Sequence, residues 1–263
     1  MNILIKMSIG LILLSQLNLL GKNNDANGKE IKKIYLKAFK KSKNIEEKIN
    51  AIQLLEGHNG KHVVKILTKL LKNRDDKIKI ATLELLAKLN GHPETSTNLI
   101  IKEFKNRTNH NSVKLKAIDL LKTQKLTFRS MNALIEELNK LNLSPPKKIK
   151  GVKHSDQPFT SVPPYRIMGD PSLNVTQNIN VLTDKLETLP KSHKKHLEKL
   201  SLSIMIFSTI NSLSNGQFKS SNINNPANQK ILPWFKQNKK DLNIWWKKNK
   251  KDIFKKEKLF LKK

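Results

Sequence analysis

The sequence repeats itself. Lys48-Ile49-Asn50-Ala51-Ile52-Gln53-Leu54-Leu55 aligns with Lys79-Ile80-Ala81-Thr82-Leu83-Glu84-Leu85-Leu86 and with Lys114-Leu115-Lys116-Ala117-Ile118-Asp119-Leu120-Leu121, at offsets of 31 and 35 residues. A recurring period of this length means stacked supersecondary units, none of which buries its apolar face alone. Each segment is followed, after a short turn, by a second amphipathic stretch: Val63 to Lys72, Ser96 to Lys105 and Ser130 to Asn139. Apolar residues there recur three and four apart, as in Val64, Leu67, Leu71 and in Leu134, Ile135, Leu138, which puts one stripe toward the neighbouring unit. The spacing predicts an all-α chain of helix pairs. Ala51, Thr82 and Ala117 occupy equivalent positions, where a small side chain lets adjacent helices approach closely. Turns are signalled by Gly57-His58-Asn59-Gly60, Gly91-His92-Pro93 and Asn73-Arg74-Asp75-Asp76, and the Asp pair suits the positive end of the following helix. Composition agrees: aromatics are only 5% of residues, and alternating Val, Thr and Tyr runs that mark strands are absent.

Outside the repeats the chain divides by pattern into further segments. Residues 1–26 read as a secretory signal and polar spacer: Lys6, an apolar stretch from Met7 to Leu20 interrupted by Gln16 and Asn18, then the polar run Lys22 to Lys29. The stretch is shorter than the roughly 20 apolar residues that span a bilayer, so export to the periplasm or exterior is expected, with no stable membrane span after signal removal. The best cleavage site follows Gly21. There is no cysteine, hence no disulfide and no lipidated cysteine. Residues 27–143 form the repeat array, opened by a covering helix from Ile31 to Lys43 with Ile34, Tyr35, Ala38 and Phe39 on one side. In residues 144–172, Pro145, Pro146, Pro158, Pro163, Pro164 and Pro171 mark a linker or ordered insertion. Residues 173–263 form a C-terminal helical unit, with helices over Val175 to Leu189 and His193 to Leu213, an end at Asn215-Gly216 and a basic tail carrying Trp234, Phe235, Trp245, Trp246, Phe254 and Phe260.

The formal charge of +30 points to an acidic partner, either a protein or a polyanion such as nucleic acid, anionic lipid or an acidic polymer. Of the 51 basic residues only Arg74, Arg107, Arg129 and Arg166 are arginine. Specific phosphate readers lean on the planar guanidinium fork, whereas lysine is a mobile point charge, so the composition disfavours sequence-specific nucleic-acid reading. An AT-rich coding sequence would also raise Lys, Asn and Ile without any functional demand.

The three repeats resemble HEAT repeats, particularly the short bacterial kind named after the phycobilisome lyases, in which Asp-Asp-x-x-Lys/Arg opens a helix ending in Leu-Leu. Asp75 to Leu86 is the best copy, with Lys79 and Gly-His turns where that family usually has arginine and Gly-Asp. The tail Trp234-Phe235-Lys236-Gln237-Asn238, then Trp245-Trp246-Lys247-Lys248-Asn249, is similar to the Trp-x-x-Trp-Trp-x-x-Asn ending of many exported bacterial HEAT proteins. The resemblance covers residues 45 to 142 and, more loosely, 190 to 254. It implies an α-solenoid of HEAT-like helix pairs with a capped C-terminal unit, a binding scaffold without a fixed ligand. Lyases of this fold attach bilins in the cytosol, but fold does not carry function, and the export signal speaks against that chemistry here.

Catalytic chemistry finds little footing. His58 and His62 lie four apart and His193 and His196 three apart, yet no Cys or acidic cluster completes a ligand set and HExxH is absent. Neither a Gly-rich phosphate loop nor a nucleophile elbow is present. The expectation is a non-enzyme with no metal, no cofactor and no small-molecule substrate. Asn106, Asn142 and Asn174 head N-x-Ser/Thr sequons, unsurprising in so Asn-rich a chain. The expected partner contacts are Lys79, Lys114 and Lys116 on the first helices and Trp234, Trp245 and Trp246 in the tail. Those tryptophans, interleaved with lysines, could form a stacking surface for nucleic acid or glycan. Large apolar patches are rarely left exposed, so the favoured expectation is a buried cap against the Leu197 to Leu213 helix.

Overall fold

The computed structural model describes residues 28–89, 91–143, 191–218 and 231–262, and these are helix and turn with no strand among them. The helices are α1 (Gly28–Lys41), α2 (Ile45–Gln53), α3 (Lys61–Leu70), α4 (Asp76–Lys88), α5 (Pro93–Lys105), α6 (Asn111–Leu121), α7 (Thr127–Lys140), α8 (Lys191–Leu213) and α9 (Ile231–Leu261). The expected signal segment, the proline-marked segment and the helix over Val175 to Leu189 lie outside the described residues. Two compact units result, Met1–Ile100 and Ile101–Lys263, with the division falling inside α5. The sequence period groups residues 27–143 together, whereas packing groups the third helix pair, α6 and α7, with α8 and α9. The reason is coverage: α8 packs on both α6 and α7, and α9 packs on α7.

Three positions of the sequence repeat are buried in every copy. Ala51, Thr82 and Ala117 are buried in α2, α4 and α6, and so are Ile52, Leu83 and Ile118 one residue on and Leu55, Leu86 and Leu121 three residues further. Thr82 keeps its hydroxyl satisfied by donating to the Ile78 carbonyl at 2.7 Å, which lets a polar atom occupy a fully buried site. The second helices start two to three residues earlier than their apolar stripes suggest. Pro93 opens α5, where its fixed φ suits the first helical position and its missing N–H costs nothing.

In the first unit the starts of α2 and α4 are set by side chains that satisfy orphan backbone donors, whereas α3 starts at Gly60 without one. Asp75 accepts from the N–H groups of Lys77 at 2.9 Å and Ile78 at 3.2 Å, and Asn73 accepts from the Asp75 N–H, so the Asn73 to Asp76 segment is the turn its residues foretold. Asn44 caps α2 by accepting from the Glu47 N–H, and the Glu47 carboxylate reaches back to the Lys43 N–H at 2.7 Å, a reciprocal arrangement close to a capping box. Gly57 follows α2 with φ at 84°, the left-handed region that side-chain-bearing residues avoid. α1 packs on α2 and α3, so the leading helix does cover the first pair, through Ile31 and Tyr35.

Burial pushes the Tyr35 phenol up from 10.0 to about 12. An acid whose folded pKa exceeds its unfolded one contributes stability that is complete below pH 10 and lost as pH rises toward 12. Tyr35 and Tyr165 are the chain's two tyrosines, so Tyr165→Phe leaves Tyr35 as the sole reporter. Its tyrosinate absorbance is expected to reach half-height near pH 12 in the folded protein; a midpoint at the ordinary 10 would show an exposed ring.

In the second unit α8 ends as Asn215-Gly216 implied. Asn215 adopts φ of 52°, its N–H bonds the Ser212 carbonyl at 3.1 Å, and the Gly216 N–H bonds the Asn211 carbonyl at 2.9 Å. This is a Schellman ending with Asn in the left-handed position. Asn215→Ala is expected to lower stability by about 1 kcal/mol, because Ala keeps the β-carbon but loses the short polar side chain that lets Asn tolerate the left-handed region, while Asn215→Gly, which has no β-carbon, leaves stability level or slightly higher. Thermal unfolding of the two variants checks this, and equal losses would refute the backbone explanation.

Candidate functional site: the last helix

The 31-residue α9 carries all three tryptophans and ten lysines, and its two sides do different things. Its inward side is a row of aromatic rings. Trp234 meets Phe207 of α8 edge-on at 5.5 Å, Phe235 meets the same ring at 6.3 Å, and Phe218 lies 6.5 Å from Phe207 and 5.9 Å from Trp245. Trp245 and Trp246 stack at 6.4 Å, Trp246 stacks on Phe128 of α7 at 5.5 Å, and Phe128 touches Phe254 at 4.8 Å. Trp234 and Trp246 are therefore core, 4% and 7% exposed. As partner contacts they are set aside, because their ring faces are already taken up within the unit; Trp245 is half-buried. The packing against Phe207 matches the cap expected against α8, but the Phe128 contact was not foreseen.

Two copies of one local motif set this row. Trp234-Phe235-Lys236-Gln237-Asn238 and Trp245-Trp246-Lys247-Lys248-Asn249 lie 11 residues apart, about three helical turns, so both fall on the same side. In each copy the Asn amide donates to the Trp carbonyl four residues back at 2.8 Å.

α9 also closes both ends of α7. Glu257, 6% exposed, accepts from the Arg129 N–H at 3.2 Å and faces the Arg129 guanidinium at 3.4 Å, at the start of a helix whose N-cap residue, Leu126, has no capping side chain. At the other end the Lys239 ammonium donates to the carbonyls of Asn139 at 2.9 Å and Leu141 at 3.2 Å, and desolvation lowers its pKa. Asn139 and Asn243 exchange amide hydrogen bonds between the two helices. An acid at the positive end and a base at the negative end is the arrangement the helix dipole favours. None of these partnerships carries a local sequence signal, because the partners lie on the order of a hundred residues apart.

The outward side of α9 is a lysine face. Lys236, Lys240, Lys247, Lys251, Lys255 and Lys258 are all exposed and follow one another at helical spacing, with exposed Ile244 filling the one apolar step and exposed Lys262 continuing the series just past the helix end. The stripe runs over roughly 39 Å at a helical rise of about 1.5 Å per residue. No carboxylate falls in it: Asp241 and Asp252 lie at its border and Glu257 points inward. Within α9, ten lysines against three acids leave a net charge of +7. Lysines three and four apart repel by about 0.2–0.5 kcal/mol per pair, so the helix carries this face at some cost to itself. Its far end is apolar, with Leu259 63%, Phe260 39% and Leu261 41% exposed.

The other expected contact residues are scattered. Lys79 is half-buried on α4 of the first unit, and Lys114 and Lys116 are half-buried on α6, which packs on α8, whereas α9 packs on α7. His58 is half-buried, with its pKa lowered by desolvation, and His196 is buried. Among the described residues, no group of three or more His, Cys, Asp or Glu stands ready to hold a metal ion, and no helix is long and apolar enough to cross a membrane.

Comparison of the chain with protein-family models, curated proteins and solved structures finds no match.

Proposed function

We propose that this protein is a non-catalytic binding scaffold of the cell envelope or exterior, built of HEAT-like helix pairs in an α-solenoid, that holds an acidic partner by charge. The observation that carries the reading is the lysine face of α9, six exposed lysines at helical spacing, continued by Lys262 just past the helix end, with no acid among them. The repeat of buried positions through α2, α4 and α6 supports the HEAT-like plan, since equivalent residues bury equivalent atoms. Long-range attraction by such a face accelerates encounter and weakens with salt. Its position on a helix locked by aromatic packing keeps the charges in register.

The test is a salt-stepped capture from envelope extract with nuclease present, comparing the natural chain with Lys247→Glu/Lys251→Glu/Lys255→Glu. The reading expects bound material to be released by salt and to be lost on charge reversal. Equal capture by both chains would remove α9 as the contact surface.

A further inference from the structure

We infer that the acidic partner of α9 is an anionic lipid bilayer, on whose surface the helix lies with its lysine face down; this rests on the charge-based reading above and names its target. Four features of the helix select lipid from among acidic partners. First, the charge is lysine alone: none of the four arginines falls on α9, so the fork that pairs with a defined phosphate or carboxylate is missing. A field of lysines suits a smeared negative surface, which needs no fixed geometry. Second, two of the three tryptophans that could stack on nucleotide bases are turned inward, Trp234 buried against Phe207 and Trp246 against Phe128.

Third, aliphatic side chains stand out among the lysines. Ile244 is 59% exposed and Leu259 63% exposed, each on or beside the lysine stripe, and Leu261 adds a third at the helix end. Beside a nucleic acid or an acidic protein surface such side chains would sit against charge, whereas at a bilayer they enter the acyl boundary while flanking lysines stay among the headgroups. Fourth, the stripe is long, roughly 39 Å along one helix at about 1.5 Å per residue, matching an extended surface better than a concave site. No described helix is long and apolar enough to cross a membrane, and the contact inferred is a lateral one.

The experiment uses the full chain with phosphatidylcholine vesicles, with and without phosphatidylglycerol, in a sedimentation assay at low and high salt. The natural chain is expected to sediment with phosphatidylglycerol vesicles at low salt and to be released at high salt. Lys247→Gln/Lys251→Gln/Lys255→Gln/Lys262→Gln is expected to lose at least about a hundredfold in partitioning, since each lysine near an anionic surface contributes roughly fivefold. Ile244→Ser/Leu259→Ser is expected to lose about tenfold with its salt dependence unchanged, an effect a charge-only contact would not produce. All six sites are exposed, and circular dichroism confirms that the helix survives. If the chain binds heparin or an oligonucleotide in a lysine-dependent way but ignores the vesicles, the lipid inference fails and the charge reading stands. If it binds none of them, both fail. Vesicle binding that is indifferent to the lysine variant assigns the contact to another segment and overturns the inference.

Discussion

Phe207→Ala is expected to destabilise the second unit by about 3–5 kcal/mol, among the largest losses available to a single substitution here. The ring is fully buried at the point where α8 meets the row of aromatics from α9, with Trp234, Phe235 and Phe218 all within 6.5 Å. Truncation removes the transfer energy of the ring and leaves a void edged by rigid aromatic side chains, which relax poorly. The edge-on geometry to Trp234 adds about 0.5–1.5 kcal/mol beyond area burial. Phe207→Leu keeps most of the volume and is expected to cost much less. The measurement is urea unfolding followed by tryptophan fluorescence, and the placement of the fluorophores is informative. All three tryptophans are in α9, so fluorescence reports the second unit, while circular dichroism reports every helix. The fluorescence transition should shift to lower urea while part of the dichroism signal keeps its midpoint. A shift in fluorescence worth less than about 1 kcal/mol would mean that Phe207 is not the keystone of this packing.

What was legible in the sequence is local. The period of 31 to 35 residues placed the buried positions at Ala51, Thr82 and Ala117 correctly, because a helix buries whatever recurs at its own period and small residues mark close approach. The Asn73 to Asp76 turn and the Asn215-Gly216 ending were legible because their side-chain or backbone chemistry acts within a few residues. The grouping of helices was not. Nothing within α6 and α7 says that α8 and α9, beyond residues 144–190, complete their cover, and the pairing of Phe128 with Trp246 joins residues 118 apart. The candidate contacts were mixed for the same reason. A tryptophan between lysines reads alike whether its ring faces out or in, and the choice depended on ring partners supplied by other helices. The lysine stripe itself was legible in principle, but only once α9 is known to be one continuous helix from Ile231 to Leu261.

Removal of the Glu257 carboxylate is the second large effect, and it separates two explanations of why this acid is buried. If Glu257 is chiefly an ion-pair partner, its worth comes from the Arg129 guanidinium at 3.4 Å, whose side chain is 31% exposed; such a pair is worth about 1 kcal/mol or less. If it is chiefly a cap supplied from another helix, its worth comes from the Arg129 N–H and from the positive end of α7, which Leu126 leaves without a side-chain cap. The geometry favours the cap, since the carboxylate reaches both groups but only the backbone donor is fixed in place, in the first turn of α7. Glu257→Ala is therefore expected to cost about 2–3 kcal/mol, a lost charged hydrogen bond together with a bared helix end. Glu257→Gln keeps an acceptor and should cost about half of that. Arg129→Met retains the backbone N–H and should cost about 1 kcal/mol or less, and Glu257→Ala should remain costly in its presence. The double-mutant cycle in urea decides between the two, because a cap gives a small coupling between the side chains and an ion pair accounts for the whole loss. Were Arg129→Met to cost as much as Glu257→Ala, with nothing further lost in the double variant, the carboxylate would be an ion-pair partner and α7 would need its N-terminus satisfied by water.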